Sequence, residues 1–283
     1  MGSGRAEIAS QMRRRRLAAL MIALAVAPLF ATVTQAKAAA APSAGSLSYA
    51  YATSNGTAHY RVFTPSSYRA GTAVPLVVVI HGCGLSASDE EAATLYDRVA
   101  QRFGFVVAYP DNDFGSHPGG CWQFYNKSAT SGDIPVIVGM TRAVMRIRSI
   151  DRTRVYAIGT SSGGLLTSDL AAYNPRLYAA IGLMAGGPFG PDLCLTSQVS
   201  PLSVLSSASS EAAAAFRAEG AKRRVIPFIV LNGDADHVVS PQCGADAVQQ
   251  WVRADNLSRS GGQDSPYRLS PIITQHRLPA VPG

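Results

Sequence analysis

The stretch Arg154-Val-Tyr-Ala-Ile-Gly-Thr-Ser-Ser-Gly-Gly-Leu-Leu166 restricts what this chain can become more than any other. Val155 to Ile158 is a short apolar run of strand character. Gly159-Thr-Ser-Ser-Gly163 then fits the pattern G-x-S-x-G, and Gly164 follows at once. From Leu165 the apolar residues Leu165, Leu166, Leu170 and Ala171 recur at three- and four-residue spacing, which predicts a helix. Strand, glycine-lined serine and helix together form the context of a nucleophile elbow, with Ser161 at its tip. Glycines permit the tight turn, and the helix N-terminus behind the serine favours developing negative charge. Without partners elsewhere, the same residues would be no more than a Gly/Ser loop capping a helix.

An acylating serine needs an oxyanion hole, a base and a group that orients the base. His81-Gly-Cys-Gly84 follows the β-branched run Pro75–Ile80 and supplies a Gly-rich turn. The backbone amides of Cys83 and Ser162 are the candidate oxyanion donors. His81 precedes the serine and reads as the residue that fixes this turn. The orienting acid belongs after a later strand, where Leu231-Asn-Gly-Asp-Ala-Asp236 follows Val225–Leu231. Asp236 is preferred over Asp234, the alternative being that both aspartates solvate the turn.

Other segments give the frame. Ala58–Thr64 alternates as a strand, and Pro75–Ile80 and Phe105–Tyr109 are continuous apolar runs suited to strands buried on both faces. Asp89–Phe103 predicts one helix, and Pro135–Ser149 and Ala245–Val252 two more. Between them, Asp111–Gly132 is rich in Gly, Asn and aromatic residues and is too long for a plain connection. Ala179–Ala185 and Val225–Leu231 predict further strands. Gly190–Gly220 is Ser/Ala-rich and weakly patterned. Buried strands alternating with amphipathic helices predict an α/β fold, with a mostly parallel central sheet and helices on both faces. There is no internal repeat and no sign of a second domain.

The N-terminus stands apart. Arg13 to Arg16 form a basic block, Leu17 to Val33 is almost wholly apolar, and Ala36-Lys-Ala38 offers a small-x-small cleavage site. Residues 1–38 therefore read as a secretory signal, residues 39–57 as a linker, and residues 58–283 as the catalytic domain. An uncleaved membrane anchor is the rival reading. Arg5, Arg13 to Arg16 and Lys37 against Glu7 give that segment +5 of the formal +7, so the remainder carries only +2. The basic balance is thus no argument for nucleic acid, and after cleavage no stable membrane association is expected. Cys83, Cys121, Cys194 and Cys243 form an even set in an exported chain, which suggests two disulfides with three possible pairings. None has C-x-x-C spacing. No metal cluster, dinucleotide fingerprint or phosphate loop appears either, so no cofactor or metal is expected.

Val77-Val-Val-Ile-His-Gly-Cys83, Cys121-Trp122, Ile150-Asp-Arg-Thr-Arg-Val-Tyr156 and Gly159–Gly164 occur in that order. Gly233-Asp-Ala-Asp-His-Val-Val239 and Gln249-Gln-Trp251 follow them. From Tyr60 to Trp251 the chain resembles the extracellular polyhydroxybutyrate depolymerases and the related feruloyl and acetylxylan esterases. The resemblance implies an α/β-hydrolase fold, Ser161 as nucleophile and Asp236 as triad acid. It also implies disulfides Cys83–Cys121 and Cys194–Cys243. It departs at the triad histidine, which in such enzymes lies late, within Gly-x-Gly-His. Here only His237 and His276 follow Asp236. His237 abuts the acid, and His276 sits in an unmatched context. The expectation is that the C-terminal part carrying the histidine lies beyond Gly283, with His276 as the alternative base. What is expected is a secreted serine esterase acting on polyester or another carboxylic ester through an acyl-enzyme. Trp122, Phe124 and Tyr125 would line the substrate groove or pack under the disulfide. A feruloyl or acetylxylan esterase and a non-catalytic remnant are the competing readings. Oligomeric state is not legible.

Overall fold

The computed structural model describes residues 44–125, 128–190 and 201–262. The expected signal segment, Cys194 and His276 lie outside them. Seven strands form one sheet in the order β1-β2-β4-β3-β5-β6-β7. They are β1 Gly45–Thr53, β2 Gly56–Thr64, β3 Val74–Ile80, β4 Val106–Pro110, β5 Ile150–Thr160, β6 Ala180–Met184 and β7 Phe228–Leu231. The β1/β2 and β2/β4 pairs are antiparallel and every later pairing is parallel. The helices are α1 Ala87–Thr94, α2 Tyr96–Phe103, α3 Asp133–Ile147, α4 Ser162–Tyr173, α5 Pro201–Glu219 and α6 Pro241–Ser260.

Alternation along the strands sorts the core into two layers. Val78, Val106 and Ala108 join Ile137, Val144, Leu166, Leu170 and Trp251 in one cluster, beneath α3, α4 and α6. Their neighbours Val79, Val107 and Tyr109 join Ala87 and Ala100 in the other, beneath α1 and α2. Both faces of the sheet are therefore covered, which is why β4 is buried at all five positions. Trp251 of α6 has no exposed surface, and its indole N–H donates to Ser168 Oγ of α4 at 3.3 Å.

Three expectations need correction. About half of the expected linker, residues 39–57, is the edge strand β1, in register with β2 from Gly45↔Thr64 to Thr53↔Gly56. Its alternation of Leu47, Tyr49 and Tyr51 with small residues is shallow because β1 is only partly buried. The helix expected over Asp89–Phe103 is two helices. Leu95 breaks it with φ 55°, as the C-cap of one and the N-cap of the next. The weakly patterned Gly190–Gly220 segment contains α5.

Candidate active site

β5 ends at Thr160, and Ser161 turns the chain into α4 with φ 55° and ψ −120°. Such a backbone at a non-glycine residue costs on the order of 1–3 kcal/mol and persists only where its surroundings enforce it. Here the Ser161 amide donates to the Met184 carbonyl at 2.9 Å, and its carbonyl accepts from the Leu165 amide at 3.0 Å. The glycines are a steric requirement. A Cβ at Gly159 would lie 2.2 Å from the Gly163 oxygen, and one at Gly163 would lie 2.3 and 2.4 Å from the Ile80 and His81 oxygens. One at Gly164 would stand 3.0 Å from Gly186 Cα, so α4 begins in backbone contact with the end of β6. Ser162 opens the helix, where the first amides have no intrahelical acceptor. Thr160 Oγ1 donates to Glu90 Oε1 at 3.0 Å. Burial of Glu90 raises its pKa, opposed by that hydrogen bond.

The turn after β3 meets the serine directly. A Cβ on Gly82 would lie 3.3 Å from Ser161 Cβ and 3.9 Å from Ser161 Oγ, a tight contact that glycine relieves. His81 has no exposed surface and donates from Nδ1 to the Gly82 carbonyl at 2.7 Å. Burial lowers its pKa, while that bond and Asp111 act in the opposite direction. Its carbonyl accepts from the Trp122 indole N–H at 2.9 Å, and the two rings lie 4.8 Å apart. Cys83 is bonded to Cys121, and the Gly84 amide donates to the Gly120 carbonyl at 3.2 Å. The turn bearing one candidate oxyanion amide is thus stitched to the long loop by a covalent bond and two hydrogen bonds. Cys243 is buried in the first turn of α6; its expected partner Cys194 lies outside the described residues.

The three aromatic residues assigned to the groove divide. Trp122 is wholly buried beneath the turn, so in this structure its ring packs and does not face a groove. Phe124 is half-buried and packs against the cluster of Leu165, Val239 and Cys243, whereas Tyr125 is 58% exposed. A buried pair that the sequence reading passed over anchors the same loop. His117 Nε2 lies 2.8 Å from Asp133 Oδ1, and Asp133 Oδ2 accepts from the Gln123 amide at 2.7 Å. An aspartate in the first turn of a helix, just beyond a long loop holding a lone histidine, was the available signal.

Past β7, Asp236 Oδ1 accepts from the amides of Val238 and Val239 at 2.9 and 3.0 Å. This double anchor fixes the carboxylate and leaves Oδ2 without a hydrogen bond among the described residues. Asp234 is exposed in the preceding turn. Val239 packs on Leu165, one turn into α4, which brings the acid loop to the elbow helix. Asn232 Nδ2 closes the loop by donating to the Val239 carbonyl at 3.1 Å. Among the described residues no histidine hydrogen-bonds to Asp236; His237 points into solvent.

Known proteins are similar to this chain in sequence and in fold. Feruloyl esterase B of Thermothelomyces thermophilus is 30% identical over 189 residues, covering 62% of this chain and 64% of that protein. Poly(3-hydroxyalkanoate) depolymerase C of Paucimonas lemoignei is 26% identical over 198 residues, 66% of this chain and 46% of that one. A probable acetylxylan esterase A of Aspergillus fumigatus is 26% identical over 213 residues, 70% and 55% of the two chains. The chain thus spans about half to two thirds of the length of these relatives. In fold it is similar to the acetyl xylan esterase from Aspergillus awamori, with TM-score 0.59 and 20% identity over 70% of this chain and 75% of that one. These neighbours share the α/β-hydrolase architecture. Residues 58–265 match the family described as Esterase PHB depolymerase, and this chain belongs to it.

Proposed function

We propose that the chain is a serine esterase cleaving carboxylic esters through an acyl-enzyme at Ser161. The observation that carries this reading is the Ser161 backbone at φ 55°, with the Gly82–Cys83 turn pressed against its side chain. Ser161 Oγ attacks the ester carbonyl carbon while its proton passes to a histidine. The amides of Cys83 and Ser162 stabilise the negative charge on the carbonyl oxygen. Loss of one such donor costs about 10²–10³ in rate. As the C–O bond breaks, the histidine returns the proton to the leaving alcohol. Water then attacks the acyl-enzyme by the same route and releases the carboxylic acid. Asp236 orients the histidine through Oδ2. That histidine lies outside the described residues, with His276 its candidate in this sequence.

A poly(3-hydroxybutyrate)-type polyester is the substrate we favour. Leu85, Tyr125 and Val238 stand on three loops beyond the carboxyl ends of β3, β4 and β7, at 41, 58 and 83% exposure. Exposed apolar side chains on these loops suit an extended, water-poor polymer surface better than a soluble sugar ester. Feruloyl or acetylxylan ester hydrolysis is the second reading, because relatives carry those names. Fluorophosphonate labelling of this chain beside its Ser161→Ala variant tests the chemistry. Labelling that requires Ser161 is expected with His276 as its base, and none in the folded chain would refute that reading for these 283 residues. Release of 3-hydroxybutyrate from a polyester film, compared with hydrolysis of methyl ferulate and acetylated xylan, tests the substrate.

A further inference from the structure

Away from the elbow, a cleft of about 340 Å3 opens between β1, α3 and the end of α4. Pro135, Val138, Gly139, Arg142 and Arg146 line it from one side of α3, where residues three and four apart share a face. Tyr51 reaches it from β1, and Asn174 from the C-cap of α4. Gly139 is what admits Tyr51, since a Cβ there would fall 2.0 Å from the tyrosine hydroxyl. As α4 runs between them, Asn174 stands about 20 Å along the helix from Ser161. The cleft is therefore separate from the candidate active site.

Its chemistry is one-sided. The Tyr51 hydroxyl, the Arg142 and Arg146 guanidinium groups and the Asn174 amide all carry N–H or O–H donors, and among the described residues no carboxylate lines the cleft. None of these four side chains makes a hydrogen bond or ion pair among the described residues. Arg148, half a turn beyond Arg146, shows the contrast. Its donors go to Thr64 Oγ1, the Tyr49 hydroxyl and the Ile147 carbonyl. Arg142 and Arg146 are also like charges at i,i+4, an arrangement that repels unless an anion lies between them. Ala129, Pro135, Val138 and Gly139 are the apolar part of the lining.

We propose that this cleft is a second ligand site, and that it binds a small carboxylate with an apolar body. Two forked guanidinium groups suit a carboxylate, and the apolar lining residues and volume accommodate a body the size of one aromatic ring or a short alkyl chain. The choice of a carboxylate rests on the esterase reading, because ester hydrolysis releases such an acid. Recognition of an anion rests on the cleft alone.

The test is calorimetric titration of the Ser161→Ala chain, so that binding is read apart from catalysis. Cinnamate is the probe, cinnamamide its uncharged counterpart and inorganic phosphate a compact anion. We expect one saturable cinnamate site and binding at least tenfold weaker for cinnamamide. Arg142→Gln/Arg146→Gln should weaken cinnamate at least tenfold, while leaving Ser161 labelling unchanged in a chain that retains the serine. Absence of cinnamate saturation would overturn the proposal. So would equal binding of cinnamate to the double variant, equal binding of cinnamamide, or phosphate binding tighter than cinnamate. Failure of the esterase reading would show instead as a folded chain whose Ser161 does not label, whatever the titrations give.

Discussion

A single methyl group at position 163 would fall 2.3 Å from one carbonyl oxygen and 2.4 Å from another, both belonging to the backbone at the end of β3. Neither oxygen can swing away without moving the turn that presents Cys83. Gly163→Ala is therefore expected to destabilise by roughly 3 kcal/mol, the upper part of the range for overpacking, and to abolish Ser161 labelling. Thermal unfolding together with fluorophosphonate labelling checks it; a stable, labelled variant would contradict the contact. The two aspartates after β7 offer a second comparison. Asp236 is held by two amides, whereas Asp234 is free in solvent. Asp236→Asn should lower kcat on a soluble ester by 10³-fold or more, the order seen when a triad acid is lost. Asp234→Asn should change it less than twofold, and the reverse ranking would move the acid to Asp234.

Among elements, the loop between β4 and α3 has the most to hold. The Cys83–Cys121 bond closes a separation of 38 residues, and such a link contributes about 2–4 kcal/mol. Asp133 binds both His117 and the Gln123 amide from a fully buried position. Cys121→Ser, in a chain whose other cysteines are left in place, should lower Tm by several degrees and slow labelling of Ser161 more than thermal stability alone explains. Unchanged labelling in the folded variant would show that the loop does not position the Gly82–Cys83 turn. The elements themselves were largely legible from sequence. β3 and β4 read clearly because they are buried on both faces and need apolar residues throughout. The elbow read clearly because no other residues fit its contacts. β1 did not, since a half-exposed edge strand tolerates Ser46, Ser48 and Ala50 and looks like a linker. The break at Leu95 left no Gly or Pro to mark it, and apolar periodicity ran straight across. Burial of Trp122 was hidden for another reason: whether an aromatic in a loop faces solvent or core depends on a histidine carbonyl 41 residues away.

Over the whole molecule, buried acids set the response to pH. Burial raises Asp97 to about 6 and both Glu219 and Asp255 to about 7. Near pH 5–6 the native chain thus keeps protons that the unfolded chain has released. These groups then stabilise most below about pH 4, and their contribution falls as pH rises toward 7. Glu219→Gln keeps the acceptor for the Ser258 hydroxyl at 3.1 Å but cannot ionise. Its Tm should fall less steeply between pH 5 and 8 than that of the parent, and parallel profiles would refute the assignment. Finally, the two tryptophans of the chain, both without exposed surface, fall in different parts of the architecture. Trp122 lies under the Gly82–Cys83 turn and Trp251 between α6 and α4. Each indole emits as a separate optical reporter, so the variants Trp122→Phe and Trp251→Phe divide the signal. A red shift confined to Trp122 would record the loosening of the turn beside Ser161, while Trp251 stayed silent until the sheet and its helices came apart.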